Sequence, residues 1–231
     1  MDSAGSTPVA AYKDMCIDSN DPLVVGKFWA DALDMDFHTQ DNGDAYLTGS
    51  QPEHKVWINR VPESQTGKNR VHLDVHGTAP EPLVEAGATV VDGDSFRWVI
   101  MADPEGTEFC LFRRDEVPPY RVYEVVVNVG EQHREIADWW ASLLGGQVTE
   151  PESGYSYVTG GQGVPFECIC FIPVPEAKTV KNRIHFDFYV PDLSALEAAG
   201  ATLLRAQDDE IAWSVWSDPF GNEFCAFDPA D

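Results

Sequence analysis

The chain has 231 residues, 43% of them apolar, and its 39 acidic and 15 basic residues give a formal net charge of −24. This acidic surplus repels polyanions, so we expect neither a nucleic-acid partner nor binding to an anionic membrane surface. No apolar run approaches the roughly 20 residues of a membrane-spanning helix, and the first residues do not form a signal peptide. Five cysteines, an odd number, indicate reduced thiols and a cytoplasmic protein.

The first predicted elements are a strand, a helix and three short strands. A strand is predicted over 12–18. Asp21 followed by Pro22 provides the N-cap and first position of a helix that should end near Asp34. Three strands follow over 36–40, 45–49 and 55–61, separated by turn-forming residues. This order is one βαβββ unit.

A second unit of the same order follows. Its first strand is predicted over 69–76 and its short helix over 81–86. Three further strands are predicted over 89–91, 96–102 and 108–112. The sequence DPEG at 103–106 is typical of a tight turn, because Pro fixes φ at its second position and Gly accepts positive φ. The turn should join the last two strands as a hairpin.

The whole pattern then returns in the second half of the chain. KNRVHLD at 68–74 recurs as KNRIHFD at 181–187, and DPEGTEFC at 103–110 recurs as DPFGNEFC at 218–225. A period this long exceeds the roughly 20 to 50 residues of a solenoid repeat, so it indicates a duplicated domain. The predicted organisation is a flexible tail over 1–10, a first domain over 11–114, a linker over 115–119 and a second domain over 120–229.

Alternation along the strands gives each sheet two different faces. Val71 and Leu73 point to one face, while His72 and Asp74 point to the other. The second copy has the same pattern. We therefore expect one face of each sheet to pack on helices and the other to carry polar groups.

Four short motifs occur twice in the same order, over about 12–227. They are Val-Pro-Glu, Lys-Asn-Arg-x-His-x-Asp, a Trp, and Asp-Pro-x-Gly-x-Glu-Phe-Cys. This series resembles the vicinal oxygen chelate superfamily, in its glyoxalase-like and bleomycin-resistance-like branch. The resemblance implies an α+β fold of two tandem glyoxalase-like domains. In each, two βαβββ units would form a curled, mostly antiparallel eight-stranded sheet with helices on the outer face. The concave face would hold a small-molecule ligand.

The resemblance also implies where a divalent metal would bind. The family's ligands come from the first and fourth strands of each unit, and His72 and His185 match its histidine position. The implied co-ligands are Asp14, Cys110, Glu124 and Cys225. The two cysteines depart from the family, which usually has glutamate there. A His, Cys and Asp set suits zinc. Iron, manganese and nickel are the other candidates, and no cofactor is certain.

Histidine and aspartate recur two residues apart on one strand face in each copy, as His72 with Asp74 and His185 with Asp187. An Asp beside a His would hold its charge and tautomer, as a general base requires. The same spacing also allows a charged ladder that has no catalytic role. Both alternatives remain open for these four candidate catalytic residues.

Tryptophans are candidate ligand contacts. Trp98 and Trp213 occupy matching positions, where they either stack on a flat aromatic ligand or fill the core. Trp57 in one copy aligns with Cys170 in the other. The two pockets therefore differ, and one can be functional while its twin supports the structure.

Arginines and cysteines complete the candidate ligand contacts. Arg70 and Arg183 either meet a ligand carboxylate or pair with carboxylates across a domain interface. Cys110 and Cys225 are either small buried side chains or reactive thiols.

Three functional hypotheses follow. The first is a small-molecule binding protein or a metal-independent enzyme of lyase or isomerase type, acting on an organic, partly aromatic metabolite. The second is a lyase, isomerase or dioxygenase that depends on a divalent metal. The third is a non-catalytic protein, either sequestering an antibiotic or serving as a scaffold. The expected assembly is a monomer with paired domains or a homodimer.

Overall fold

The computed structural model describes residues 7–230 and contains four βαβββ units in the predicted order. The first unit comprises β1 (Ala11–Ser19), α1 (Pro22–Leu33), β2 (Asp36–Thr39), β3 (Ala45–Thr48) and β4 (Val56–Arg60). The second comprises β5 (Val71–Gly77), α2 (Glu81–Glu85), β6 (Thr89–Asp92), β7 (Val99–Ala102) and β8 (Glu108–Arg113). The third comprises β9 (Val122–Val129), α3 (His133–Leu144), β10 (Gln147–Thr149), β11 (Ser156–Thr159) and β12 (Cys168–Pro173). The fourth comprises β13 (Ile184–Tyr189), α4 (Leu193–Ala198), β14 (Thr202–Arg205), β15 (Ser214–Ser217) and β16 (Glu223–Phe227).

Helix α1 begins and ends where local sequence signals place it. The Asp21 side chain accepts a hydrogen bond from the Val24 backbone N–H, and Pro22 occupies the first turn. Asp34 ends the helix in the left-handed conformation with φ of 58°, a region that Asp tolerates better than most residues. The predicted start and end of this helix are confirmed.

The strands form two eight-stranded sheets, each built from two units as predicted. Sheet I has the order β14-β15-β16-β13-β1-β4-β3-β2 and combines the first and fourth units. Sheet II has the order β10-β11-β12-β9-β5-β8-β7-β6 and combines the second and third units. Antiparallel pairs join the units, β1 with β13 and β5 with β9.

This pairing corrects the expectation that consecutive units share a sheet. Each sheet instead takes one unit from each half of the chain. All four units alternate in the same way, so their sequences allow several pairings, and long-range contacts between β1 and β13 and between β5 and β9 determine the partner. The limits 11–114 and 120–229 stay predictions for the sequence repeats.

Helices connect the two units of each repeat although those units lie in different sheets. Trp29 Nε1 on α1 donates to Asp103 Oδ2 at 3.3 Å, and its ring packs edge-on against Phe109. In the second repeat, Trp140 Nε1 on α3 donates to Asp218 Oδ2 at 3.0 Å. The helices therefore lie between the sheets, and one hydrophobic cluster draws residues from both.

The predicted turn between β7 and β8 is confirmed. Asp103 Oδ1 accepts hydrogen bonds from the backbone N–H groups of Glu105 and Thr107. Gly106 has φ of 84°, which a residue with a Cβ adopts only at a cost. The two strands pair antiparallel as a hairpin.

The first residues of the chain are only partly covered. Residues 1–6 of the predicted flexible tail lie outside the described residues. The backbone N–H groups of Val9 and Ala10 both donate to the Leu143 carbonyl oxygen, so these two residues are anchored to the end of α3. Over residues 7–230, no helix is long and apolar enough to cross a membrane.

Candidate functional site

Each sheet has a cavity on the face opposite the helices. The cavity of sheet I, here called cup I, has a volume of about 430 Å³, and that of sheet II, cup II, has about 440 Å³. These volumes lie within the range of small-molecule sites. The predicted alternation produces them, because Ile184 and Phe186 of β13 enter the core while His185 and Asp187 face cup I.

The predicted histidine, aspartate, cysteine and tryptophan residues divide between the two cups. Cup I is lined by Trp57, His185, Asp187, Trp213 and Cys225. Cup II is lined by His72, Asp74, Trp98, Cys110 and Glu124, together with Cys170. Asp14 lies opposite Asp187 in the β1–β13 pair. It therefore joins His185, and Glu124 joins His72, because the sheets combine the two halves of the chain.

Trp98 and Trp213 lie at the walls of the cups, which agrees with the ligand-facing alternative. Trp213 stacks on Phe227 with ring centroids 5.4 Å apart. Trp98 stacks on both Phe96 and Phe112, at 5.0 and 5.4 Å. The strand predicted over 96–102 begins only at Val99, so Trp98 lies just before its first residue, where it is partly buried.

The two predicted arginines lie outside the lining of both cups. Arg183 Nε donates to the Asp18 carbonyl oxygen, and its Nη2 lies 3.3 Å from Glu105 Oε2. Arg70 Nη2 donates to the carbonyl oxygens of residues 176–177. These contacts join different units, so they agree with the interface alternative and not with contact to a cup ligand.

A pair of buried carboxyl groups lies at the floor of cup I, where Asp187 lines the cavity and Asp14 lies beside it on the neighbouring strand. Asp14 Oδ2 accepts from Lys13 Nζ at 2.6 Å and from Trp57 Nε1 at 3.2 Å. Burial and the neighbouring Asp14 carboxylate raise the pKa of Asp187 well above its ordinary value. Cys16 Sγ lies 3.4 Å from Asp187 Oδ2. Unequal surroundings thus favour a proton on Asp187, whereas Asp14 accepts hydrogen bonds from an ammonium and an indole N–H, a division typical of acid and base pairs.

The surroundings of His185 disfavour its charged form. It is only 8% exposed, and burial lowers its pKa. Its Nε2 lies 3.9 Å from Asp187 Oδ1, too far for a hydrogen bond. In cup II the corresponding distance from His72 Nε2 to Asp74 Oδ1 is 3.4 Å. The aspartates are near both histidines but form a closer contact in cup II.

Cup II carries a different floor, rich in sulfur. Cys168 and Cys170 of β12 lie beside Glu124 of β9, their Sγ atoms 3.1 and 3.5 Å from Glu124 Oε2. The pKa of Glu124 is raised to about 7, mainly because the side chain is buried. The neighbouring Asp74 also raises this pKa, whereas hydrogen bonding to Cys168 lowers it. Cys110 is buried next to Asp74 in the parallel β5–β8 pair, and burial raises the pKa of its thiol. A raised pKa disfavours the reactive thiolate.

Several residues on these floors lay outside the predicted site. Lys13, Cys16 and Cys168 all belong to strands whose alternation was visible, and Cys168 precedes the predicted Cys170 by two residues. Cys16 likewise follows Asp14 by two residues, and so shares its face. Lys13 faces cup I because the β1–β13 register shifts between Tyr12 and Asp14, an irregularity that period-two alternation does not indicate.

The side chains in each cup indicate whether it suits the divalent metal that the resemblance implies. Over the described residues, cup I holds one group of ligand atoms within 4.8 Å of one another, from Cys16, His185 and Asp187. It fits less well than cup II, because Trp57 occupies the position of Cys170 and its indole N–H can only donate. Lys13 moreover already neutralises Asp14. Cup II fits better, since Glu124, Cys168 and Cys170 offer ligand atoms within 4.8 Å of one another, as do His72, Asp74 and Cys110.

Four βαβββ units in two curled sheets, each with a polar cup, define a protein of the vicinal oxygen chelate superfamily. The family model described as a glyoxalase-like domain matches residues 14–112 and again 124–227. The chain therefore belongs to the glyoxalase-like domain family, as its motifs predicted. Among proteins with curated functions, none has a matching sequence.

Solved structures share this architecture at low sequence identity. Glyoxalase I from Zea mays is 16% identical with a TM-score of 0.68, over 95% of this chain and 92% of that one. A putative dioxygenase from Bacillus subtilis is 12% identical with a TM-score of 0.66, over 97% and 87%. The cppA protein from Streptococcus pneumoniae is 11% identical with a TM-score of 0.53, over 96% and 100%. At these identities the likeness shows the fold alone.

Proposed function

We propose that this protein binds an organic, partly aromatic small molecule in cup I and exchanges a proton with it without a metal. The observation that supports the proposal is the buried Asp14–Asp187 pair beneath aromatic walls. Trp57 and Trp213 line those walls and offer flat surfaces to a ring. Asp187 is the proton donor because its pKa is raised.

The acid pair favours chemistry at an oxygen atom of the ligand. A protonated Asp187 can donate a hydrogen bond to a carbonyl or carboxylate oxygen and then transfer its proton there. Asp14, fixed by Lys13 and Trp57, supplies the negative charge that makes the proton-bearing form of Asp187 favourable. This arrangement suits an isomerisation or elimination step of the lyase or isomerase type.

Paired variants in the two cups test the assignment. A screen of aromatic carboxylic acids, aromatic antibiotics and 2-oxoaldehydes, read by tryptophan fluorescence, should find ligands of the full chain. We expect Trp213→Ala to weaken binding by roughly two- to twelvefold, because stacking on an aromatic side chain contributes about 0.5 to 1.5 kcal/mol. Trp98→Ala, the matched change in cup II, should leave the affinity unchanged. The reverse result would assign the ligand to cup II and contradict the proposal.

Sequestration without turnover is the second candidate, since cup I would hold a ligand in either case. Asp187→Asn separates the two candidates. For an enzyme we expect turnover to fall at least a hundredfold while ligand affinity changes little, and Asp74→Asn serves as the control in cup II. Absence of turnover by the unchanged protein, with every ligand that it binds, would support sequestration.

A further inference from the structure

Three ligand atoms converge at one side of the cup II floor. The Sγ atoms of Cys168 and Cys170 are 3.4 Å apart, and Glu124 Oε2 lies 3.1 and 3.5 Å from them. Both cysteines are free thiols. Alternation along β12 brings these two side chains to the same face, and the parallel register places Cys168 beside Glu124. The cluster is therefore built by regular strands.

Two of these separations, 3.4 and 3.5 Å, lie in the range expected around a tetrahedral ion, and the third, 3.1 Å, lies slightly below it. Ligand atoms at about 2.0 to 2.3 Å from Zn²⁺ are roughly 3.3 to 3.8 Å from one another. Two thiolates and one carboxylate select a thiophilic ion over Mg²⁺ or Ca²⁺, which prefer oxygen. Three protein ligands leave the fourth tetrahedral position for water or another ligand.

The charge of cup II supports a cation as the occupant. The pairing of β5 with β9 is irregular at Tyr123, the residue before Glu124. The pairing of β1 with β13 is irregular at Lys13, the residue before Asp14. Tyr123 in cup II therefore corresponds to Lys13 in cup I. Glu124 therefore lacks the ammonium group that neutralises Asp14 in cup I. Lys68 also lines cup II, but none of the ion pairs among the described residues joins it to Glu124 or Asp74. Burying acidic groups without a paired charge is costly. A bound cation would supply that charge.

An unpartnered carboxyl oxygen gives independent support. Asp74 is 4% exposed and lies directly opposite Glu124 in the β5–β9 pair. Its Oδ1 accepts no hydrogen bond of good geometry from any described residue, although His72 Nε2 lies 3.4 Å away, and buried polar atoms without a partner are rare. A cation held beside Glu124 would be close enough to interact with this oxygen.

We propose that cup II binds one thiophilic divalent cation such as Zn²⁺ through Cys168, Cys170 and Glu124, with Asp74 as the neighbouring charge. Two of the three ligands come from a single strand, and His72 is not among them. The proposal is independent of the ligand proposed for cup I.

Metal titration of the full chain, stripped with a chelator and free of any affinity tag, tests the site. Cd²⁺ is the probe, because thiolate coordination produces a ligand-to-metal charge-transfer absorption, and calorimetry measures Zn²⁺ directly. We expect one equivalent of either ion per chain, with no competition from a large excess of Mg²⁺. Cys168→Ser and Cys170→Ser should each weaken Cd²⁺ binding at least tenfold and reduce the charge-transfer band.

Matched variants keep the test decisive. Cys16→Ser and Cys225→Ser change thiols of cup I and should leave the stoichiometry, affinity and absorption unchanged. Glu124→Gln removes one ligand without altering the thiols, so it serves if a cysteine variant fails to fold. The proposal is overturned if the unchanged chain binds neither ion, if Mg²⁺ displaces them, or if folded Cys168→Ser and Glu124→Gln variants bind as tightly as the parent.

Discussion

Corresponding positions of the two cups hold different residues, and these single differences give the cups different chemistry. Lys13 and Trp57 surround a carboxylate in cup I, whereas Tyr123 and Cys170 occupy the corresponding places in cup II. An ammonium and an indole N–H stabilise an anion in the first case. In cup II, the Glu124 carboxyl group lies beside the thiols of β12 and opposite the carboxyl group of Asp74. The same backbone thus supports an acid pair in one cup and the proposed cation site in the other.

Asp187 provides a test at this scale through the pH dependence of stability. Its pKa is raised in the folded state by burial and by Asp14. The folded chain therefore binds this proton more tightly than the unfolded chain, whose value is about 3.9. The bound proton therefore contributes its full stabilisation of the folded state at pH values below the unfolded-state pKa. This contribution is lost as pH rises through the folded-state pKa of Asp187.

We therefore expect Asp187→Asn, which stays neutral at every pH, to gain stability relative to the parent as pH rises from 4 to 8. Urea denaturation at several pH values measures the difference. Asp209→Asn, a change at an exposed site, is the control and should show no such trend. A constant difference between Asp187→Asn and the parent across this range would contradict the pKa assignment.

At the scale of single elements, local capping signals mark where α1 and α4 begin, whereas α2 and α3 begin without a side-chain cap. The Asp21 side chain caps α1 by accepting from the Val24 N–H. Helix α4 begins similarly, with Asp192 accepting from the Ser194 N–H. Both caps are short polar side chains just before the first helical residue, and such signals depend on neighbours in sequence only.

Removing the cap of α1 should have a moderate and measurable cost. We expect Asp21→Ala to lower the free energy of unfolding by about 1 kcal/mol, because an N–H group of the first turn loses its acceptor. Asp31→Ala, an exposed position within the same helix, should change stability by less than about 0.5 kcal/mol. Chemical denaturation compares the two, and equal effects would mean that the Asp21 cap contributes nothing specific.

At the scale of the whole molecule, the crossed pairing of units makes the two halves of the chain interdependent. Each half contributes one unit to sheet I and one to sheet II. Separating the halves would leave β1 and β5, now central strands, without their antiparallel partners β13 and β9. Exposed strand edges of this kind promote aggregation or pairing with another chain.

We expect residues 1–117 and 118–231, produced together as separate polypeptides, to assemble into a one-to-one complex. Each half alone should aggregate or unfold. Co-purification and sedimentation measure the assembly, and circular dichroism measures the folding of each half. A half that is a folded monomer with cooperative unfolding would contradict the crossed pairing.

The sequence by itself determined the local elements and the faces of the strands. The N-cap at Asp21, the turn at 103–106 and the alternation around His72 and His185 follow from interactions among neighbours in the chain. The repeated motifs likewise predicted the family and the four units. These features need no knowledge of which distant segments meet.

Only the tertiary structure decided which units share a sheet, and therefore which residues share a cup. Asp14 lies with Asp187, and Glu124 with Asp74, because β1 pairs with β13 and β9 with β5. Four units with the same alternation present equivalent edges, so the pattern of one strand does not identify its partner. Packing of the helices between both sheets, together with contacts such as Arg183 to Glu105, favours one arrangement.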